Sequence, residues 1–116
     1  MTPYERIDMA YSFEVSDGDK TVIKELIEIF LVQIKEFKEE MPQAIKKKDF
    51  KHVKLLAHKF KSSLRTFGLK TIAEEMEKIE TNQELEQDPS LKKTIDICIR
   101  ECELAYEELS LFLQKV

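Results

Sequence analysis

The last quarter of the chain carries the pattern that most constrains the fold. Its apolar residues follow one another at alternating steps of three and four, which keeps them on one side of an α-helix. They are Leu91, Ile95, Cys98, Cys102, Ala105, Leu109, Phe112 and Val116. A seam of this kind is typical of helical bundles. The rest of the chain must therefore supply amphipathic helices that cover it.

Periodicity and capping signals predict four long helices. Their expected bounds are about 20–47, 50–67, 72–84 and 89–115. Asp49 is the predicted N-cap of the second helix, and Gly68, which tolerates a left-handed backbone, is expected to close it. A capping box that begins at Thr71 would open the third helix, and Asp88 followed by Pro89 the fourth. Short turns between the four favour an all-α, antiparallel up-down-up-down four-helix bundle.

The first long helix has two apolar stripes. The main stripe is expected to face the core and comprises Val22, Leu26, Ile29, Phe30, Gln33, Phe37, Met41 and Ala44. A second stripe either widens the core or forms an exposed patch for a partner, and comprises Ile27, Leu31 and Ile34. Pro42 lacks a backbone donor, so a kink or break is expected near 38–41. The irregular residues 1–15 predict a short helical or extended lead-in, and 16–19 a turn with an N-cap.

Length and composition limit the class of protein. The 116 residues suffice for one domain, 1–116, with its own core. Cys98 and Cys102 lie four residues apart on one predicted helix, so we expect small core residues in a reducing compartment rather than metal ligands. No apolar run is long enough to span a bilayer, and the N-terminus lacks a signal-peptide apolar region. We therefore expect a cytoplasmic protein without membrane contact.

His58 lies in the middle of the second predicted helix, opposite its apolar side. That side comprises Val53, Leu56, Phe60, Ser63, Leu64 and Phe67. The neighbours of His58 one turn away are Lys54, Lys61, Ser62 and Arg65. The imidazole is therefore predicted to face water in a basic setting.

The charge of the chain is concentrated around this histidine. Net charge is −4, but the segment 46–70 has nine basic residues and one acidic residue, so it carries +8 and the remainder −12. Such a patch is a solvated face, attracts an acidic protein or binds nucleic acid. The overall acidity, and the lack of aromatic residues on the exposed face, argue against nucleic acid.

The predicted helix around His58 resembles histidine phosphotransfer (HPt) domains of bacterial two-component phosphorelays. It reads Ala57-His58-x-x-Lys61-Ser62-Ser63-x-x-x-x-Gly68, where the family usually has Ala-His-x-x-Lys-Gly-Ser-Ser-x-x-x-Gly. Segments 27–30 and 48–50 also resemble those that precede the family histidine, and the likeness extends from about Tyr4 to Val116. Ser62 departs from the usual glycine, and Leu64 from the second small residue of the usual pair.

The resemblance implies a phosphoryl carrier. His58 would accept the phosphoryl group from the aspartyl phosphate of a receiver domain and pass it to another receiver, since a neutral imidazole is a competent nucleophile at physiological pH. Lys61 would neutralise the phosphoryl oxygens. Gly68 would be structural. The implied receiver docking surface comprises Ser62, Lys54, Arg65, Leu55 and Lys59.

The implied partners are receiver domains of response regulators or hybrid histidine kinases. The sequence has neither a glycine-rich nucleotide loop nor an acidic cluster for magnesium. We therefore expect no autokinase activity, no cofactor or metal of its own, and magnesium only on the receiver. An alternative is a non-catalytic module that binds receivers without transfer, although the presence of both His58 and Lys61 argues against it. We expect a monomer, and Met1 slightly favours a free-standing carrier.

Overall fold

The computed structural model describes residues 6–116 and is all-helical over that range. Its helices are α1 (Ala10–Val15), α2 (Lys20–Lys46), α3 (Phe50–Thr66), α4 (Lys70–Thr81), a short 3-10 helix (Leu85–Gln87) and α5 (Leu91–Lys115). Helices α2 to α5 form the predicted antiparallel bundle, in which α2 packs against α3 and α5, and α3 against α4. Tyr4 lies outside the described residues. Within 6–116, none of the helices combines the length and the apolar character needed to cross a membrane.

The turn between α2 and α3 sets the start of the helix that carries His58. Lys48 adopts a left-handed backbone with φ 58°, and its N–H donates to the carbonyl of Ile45 at 3.0 Å. The N–H of Asp49 donates to the carbonyl of Ala44 at 2.9 Å, which completes a Schellman motif. The Asp49 side chain then accepts a hydrogen bond from the N–H of His52 at 3.2 Å. The predicted N-cap is therefore confirmed, and one residue both ends α2 and starts α3.

A second Schellman motif ends α3 at Gly68. The N–H of Gly68 donates to the carbonyl of Arg65 at 3.2 Å, and that of Leu69 to the carbonyl of Leu64 at 2.8 Å. Gly68 has φ 79°, so the predicted terminator is confirmed. Leu69 is at once the N-cap of α4, which begins at Lys70. The capping box predicted from Thr71 is therefore wrong, because Leu69 is already the N-cap and Thr71 lies inside the first turn of α4.

The bounds of the last two helices also differ from those expected. Helix α4 ends at Thr81 instead of 84, and the short 3-10 helix follows it. Helix α5 begins at Leu91 rather than at Pro89. The Asp88 side chain accepts from both the N–H (2.9 Å) and the hydroxyl (2.7 Å) of Ser90, so Asp88 closes a turn before the helix. Those two hydrogen bonds lower the pKa of the Asp88 carboxyl.

Of the kink or break expected near 38–41, helix α2 excludes the break, and its buried face also differs from the predicted one. The helix runs without a break through Pro42, which lies exposed near its end between the buried Met41 and Ala44. Since only one backbone donor is missing there, packing on both sides keeps the helix continuous. Its buried face is also rotated from the predicted one. Buried on it are Ile23, Ile27, Phe30, Ile34, Phe37, Met41 and Ala44.

The second stripe of α2 is therefore core rather than an exposed partner patch. Ile27 and Ile34 are fully covered, whereas Val22 and Ile29 of the predicted main stripe are exposed. Residues 22 and 29 share a face with 26 and 33, which are only half-buried at its edge. The two overlapping stripes left open which side of α2 faces the core. Packing against both α3 and α5 determines that side.

Stacked aromatic rings join α2 to α3 and fix the helix of His58. The ring of Phe30 stacks on Phe67 with centroids 4.7 Å apart, and Phe37 stacks on Phe60 at 4.6 Å. All four rings are buried. Offset or stacked pairs add about 0.5–1.5 kcal/mol beyond the area that they bury. Helix α3 therefore has a firmly held inner side.

Helix α5 buries the seam predicted for it. The seam is covered from Leu91 to Leu109, and Phe112 and Val116 are half-exposed. Cys98 and Cys102 are free, buried thiols, as predicted. Burial raises the pKa of Cys98 to about 11 and that of Cys102 to about 12, so neither is ionised at neutral pH.

The lead-in packs across the C-terminal end of α3. The N–H of Asp8 donates to the carbonyl of Phe67 at 2.9 Å. The hydroxyl of Ser12 donates to the backbone carbonyl of Thr66, also at 2.9 Å. The backbone N–H groups of Arg6 and Ile7 donate to Glu108 of α5 at 3.1 Å. Residues 6–9 form a bend followed by irregular backbone and precede α1, as expected for a short lead-in on the bundle.

Candidate functional site

His58 lies near the middle of α3, on its solvent side. Its side chain is 63% exposed, while Ala57 beside it and Phe60 two residues on are buried. The predicted apolar face is confirmed at Val53, Leu56, Phe60, Leu64 and Phe67. Ser63 is half-buried and donates to the side chain of Gln33 on α2. The helix thus holds its inner side in the core and presents the imidazole outward.

A carboxylate of α4 holds one ring nitrogen of His58. Nδ1 lies 2.5 Å from Oε1 of Glu80. The Lys61 ammonium, and after it His58, lower the pKa of the Glu80 carboxyl, so Glu80 is ionised and can only accept. Nδ1 must therefore carry the proton and donate it. In the neutral ring the lone pair then resides on Nε2, which has no hydrogen-bond partner within 6–116.

Lys61 bridges two carboxylates of α4. Its Nζ donates to Oε2 of Glu77 at 2.6 Å and to Oε2 of Glu80 at 2.7 Å. These partners, Glu77 foremost, raise the pKa of the Lys61 ammonium, so it stays charged at neutral pH. Its side chain is only 16% exposed, because α4 covers it. The position of Lys61 one turn from the exposed His58 would predict an exposed side chain, and that prediction is wrong.

Arg65 extends this arrangement by one more step. Its guanidinium lies 3.8 Å from Oε2 of Glu77. Basic and acidic side chains thus alternate along the interface between α3 and α4. We call this row the ladder, and its members are His58, Glu80, Lys61, Glu77 and Arg65.

The ladder corrects the predicted basic setting of His58. The residues around it on α3 are basic, but its direct partner is the carboxylate of Glu80. The sequence reasoning missed Glu77 and Glu80, because a helical wheel shows only neighbours on the same helix. A signal was present nonetheless: each follows directly after a buried residue of α4, Met76 and Ile79, and so flanks the side that meets another helix.

Two open depressions flank the imidazole and locate the other predicted residues. One, of about 490 Å³, contains Lys54 and Leu55 together with His58 and Glu80. The other, of about 750 Å³, contains Lys61, Ser62 and Arg65. Ser62 is exposed, and Leu64, the other departure from the family pattern, is fully buried where it obstructs nothing. Lys59 lies elsewhere, in a groove with Gln33 of α2.

Gly68 has a role that its spacing alone did not show. A Cβ atom there would lie 2.5 Å from Cβ of Asp8 and 2.9 Å from its backbone nitrogen. Contacts under about 3 Å require something to move, and backbone cannot move cheaply. The glycine therefore both ends α3 and lets the lead-in cross it.

Comparison with known proteins agrees with this arrangement. The family model for the Hpt domain matches residues 25–111, and the chain belongs to that family. The match contains every residue of the ladder. A curated relative is the phosphorelay intermediate protein rdeA of Dictyostelium discoideum, 29% identical over 102 residues, which cover 82% of this chain and 40% of that protein. The chain thus spans less than half the length of that relative. No solved structure matches the chain.

Proposed function

We propose that this protein is a histidine phosphocarrier of a phosphorelay and that His58 carries the phosphoryl group. One observation supports it above all: Nδ1 of the exposed imidazole lies within hydrogen-bond distance of the Glu80 carboxylate, an arrangement that assigns the proton to Nδ1 and the nucleophilic lone pair to Nε2. Membership of the Hpt family and likeness to a phosphorelay intermediate protein support the same function. The donor is a receiver domain that carries an aspartyl phosphate, and the acceptor is a receiver domain whose aspartate is unphosphorylated.

Transfer of the phosphoryl group to His58 forms one bond to phosphorus and breaks another. The Nε2 lone pair attacks phosphorus, a phosphorus–nitrogen bond forms, and the bond from phosphorus to the aspartyl oxygen breaks. The aspartate leaves as a carboxylate, and the ring, which keeps its Nδ1 proton, becomes a cation. Glu80, at 2.5 Å from Nδ1, stabilises that cation as it develops. Passing the group to a second receiver reverses each step.

Lys61 serves the phosphoryl group rather than the ring. It lies one turn from His58 and borders the larger depression. An ammonium ion with three donors can turn one of them to a phosphoryl oxygen while it keeps Glu80. Electrostatic stabilisation by positioned cations is the main means by which proteins assist phosphoryl transfer.

The docking surface for the receiver surrounds His58. We place Ser62, Lys54, Arg65 and Leu55 in it, and Lys59 at its margin, in the groove on the α2 side of α3. Leu55 is an exposed apolar side chain, and within 6–116 Lys54 and Lys59 form no ion pair, so both are available to an acidic partner. Ser62 presents a small side chain where a partner must approach closely.

The receiver supplies the remaining catalytic parts. We propose that magnesium is held by the receiver and that this chain does not phosphorylate itself from ATP. A monomer in the cytoplasm suits such a carrier, and the free thiols Cys98 and Cys102 are typical of a reducing compartment.

The test is transfer from a phosphorylated receiver domain to the wild type and to His58→Gln. The wild type should gain a phosphate that is labile in acid and stable in alkali, and the variant should gain none. Equal labelling of both proteins would contradict the proposal. Binding of the receiver without labelling would instead favour the non-catalytic interaction module. Incubation with ATP and magnesium alone should label neither protein.

A further inference from the structure

The ladder creates a conflict when a phosphoryl group arrives. Before transfer, the two carboxylates of Glu77 and Glu80 are balanced by the two cations Lys61 and Arg65. The new group brings about two negative charges. Lys61, on the border of the depression beside His58, is the cation that can reach it, but two of its three N–H donors already bond to the carboxylates, so binding more than one phosphoryl oxygen requires it to release one of them.

The two carboxylates differ in what they lose if Lys61 turns away. Glu80 keeps its bond to Nδ1 of His58, and that ring becomes a cation, so Glu80 stays paired. Glu77 has no such second bond. Its remaining partner is Arg65, at a distance of 3.8 Å, which is too long for a hydrogen bond.

Arg65 is placed to take over Glu77. It lies one turn beyond Lys61 on α3 and is 53% exposed, so its guanidinium has room to move. A guanidinium can bind a carboxylate through two parallel hydrogen bonds, a stronger pairing than the present contact.

We propose that Arg65 is a positioning residue that replaces Lys61 as the partner of Glu77 when His58 is phosphorylated. The inference rests on the proposed function and adds to it a cation exchange along the ladder. Lys61 turns to the phosphoryl oxygens, and Arg65 closes on Glu77. The exchange stabilises phosphohistidine relative to the aspartyl phosphate of the receiver. Arg65 does this without touching the phosphoryl group.

A double-mutant cycle separates this role from direct contact. The measurement is the equilibrium distribution of labelled phosphoryl between a purified receiver domain and this protein. Arg65→Gln should shift it toward the receiver by about two- to five-fold, as expected for one partly exposed ion pair. Glu77→Gln alone should shift it toward His58, because Lys61 is released. In the Glu77→Gln background, Arg65→Gln should have no further effect.

Lys70→Gln is the matched control. Lys70 borders the same depression, carries the same charge and forms no ion pair within 6–116. It should leave the distribution unchanged. A shift equal to that of Arg65→Gln would mean that only the general field matters, and would overturn the inference.

Two further outcomes also overturn it. One is an Arg65→Gln shift that persists in the Glu77→Gln background, which would indicate that Arg65 acts on the phosphoryl group directly and not through Glu77. The other is no shift in Arg65→Gln. In both cases the wild type is labelled and the proposed function stands. A wild type that takes no label would overturn both proposals together.

Discussion

Replacing Gly68 by alanine tests how the lead-in and α3 depend on each other. The added Cβ would lie 2.5 Å from Cβ of Asp8 and 2.9 Å from its backbone nitrogen. It would also occupy a left-handed conformation, with φ 79°. Gly18 offers a matched control, because its φ is 74° and an added Cβ there would meet nothing within 4 Å.

The two substitutions share one cost and differ in another. A non-glycine residue in the left-handed region costs about 1–2 kcal/mol, and Gly18→Ala should lose about that much stability. Gly68→Ala must also push the lead-in away from α3. It then loses the hydrogen bond from Asp8 to Phe67, worth about 0.5–1.5 kcal/mol, and part of the burial of Ile7. The expected total is about 2–4 kcal/mol.

Urea unfolding of the two variants and the wild type measures this difference. Gly68→Ala should be less stable than Gly18→Ala by about 1–2 kcal/mol, the sum of the contacts that the lead-in loses. The slope of the transition should stay similar, since the bundle itself remains. Equal stabilities for the two variants would contradict this prediction, because the close contact with Asp8 would then cause no loss of stability.

Three further predictions concern the turn before α3 and the ladder. Lys48→Gly should raise the free energy of unfolding by about 1 kcal/mol, since glycine adopts φ 58° without strain; an unchanged urea midpoint would contradict this. Lys61→Ala should keep the helical circular dichroism of the wild type but shorten the lifetime of phosphohistidine, and an unchanged lifetime would count against its role. The carboxyl of Glu80, followed by NMR, should titrate below its ordinary pKa of 4.5, and Lys61→Ala should raise that pKa. Glu80 thus adds stability above pH 4.5 that is lost as the pH falls through the lowered pKa.

The outline of the fold followed from local signals. The seam of α5, the Asp49 cap and the Gly68 terminator depend on residues close together in sequence, and all three are confirmed. The starts of α4 and α5 could not be read the same way. At Leu69 a single residue ends one motif and starts the next helix, and at Asp88 the cap-like side chain serves a turn.

Only part of the candidate site could be predicted from the sequence. The position of His58 on the outer side of α3 follows from the spacing of apolar residues along one helix. Its pairing with Glu80 depends on which side of α4 packs against α3, and that is fixed by the whole bundle. The same limit applies to α2, where two overlapping apolar stripes left open which side of the helix faces the core.

The proposed role of His58 is tested most directly by identifying which nitrogen atom carries the phosphoryl group. Protein labelled with ¹⁵N at histidine can be phosphorylated by a receiver domain and studied by ³¹P and ¹⁵N NMR. Because Glu80 holds Nδ1, we predict a phosphorus–nitrogen coupling to Nε2 of His58, with the proton retained on Nδ1. Phosphorus bonded to Nδ1, or to His52 instead, would contradict the proposed site.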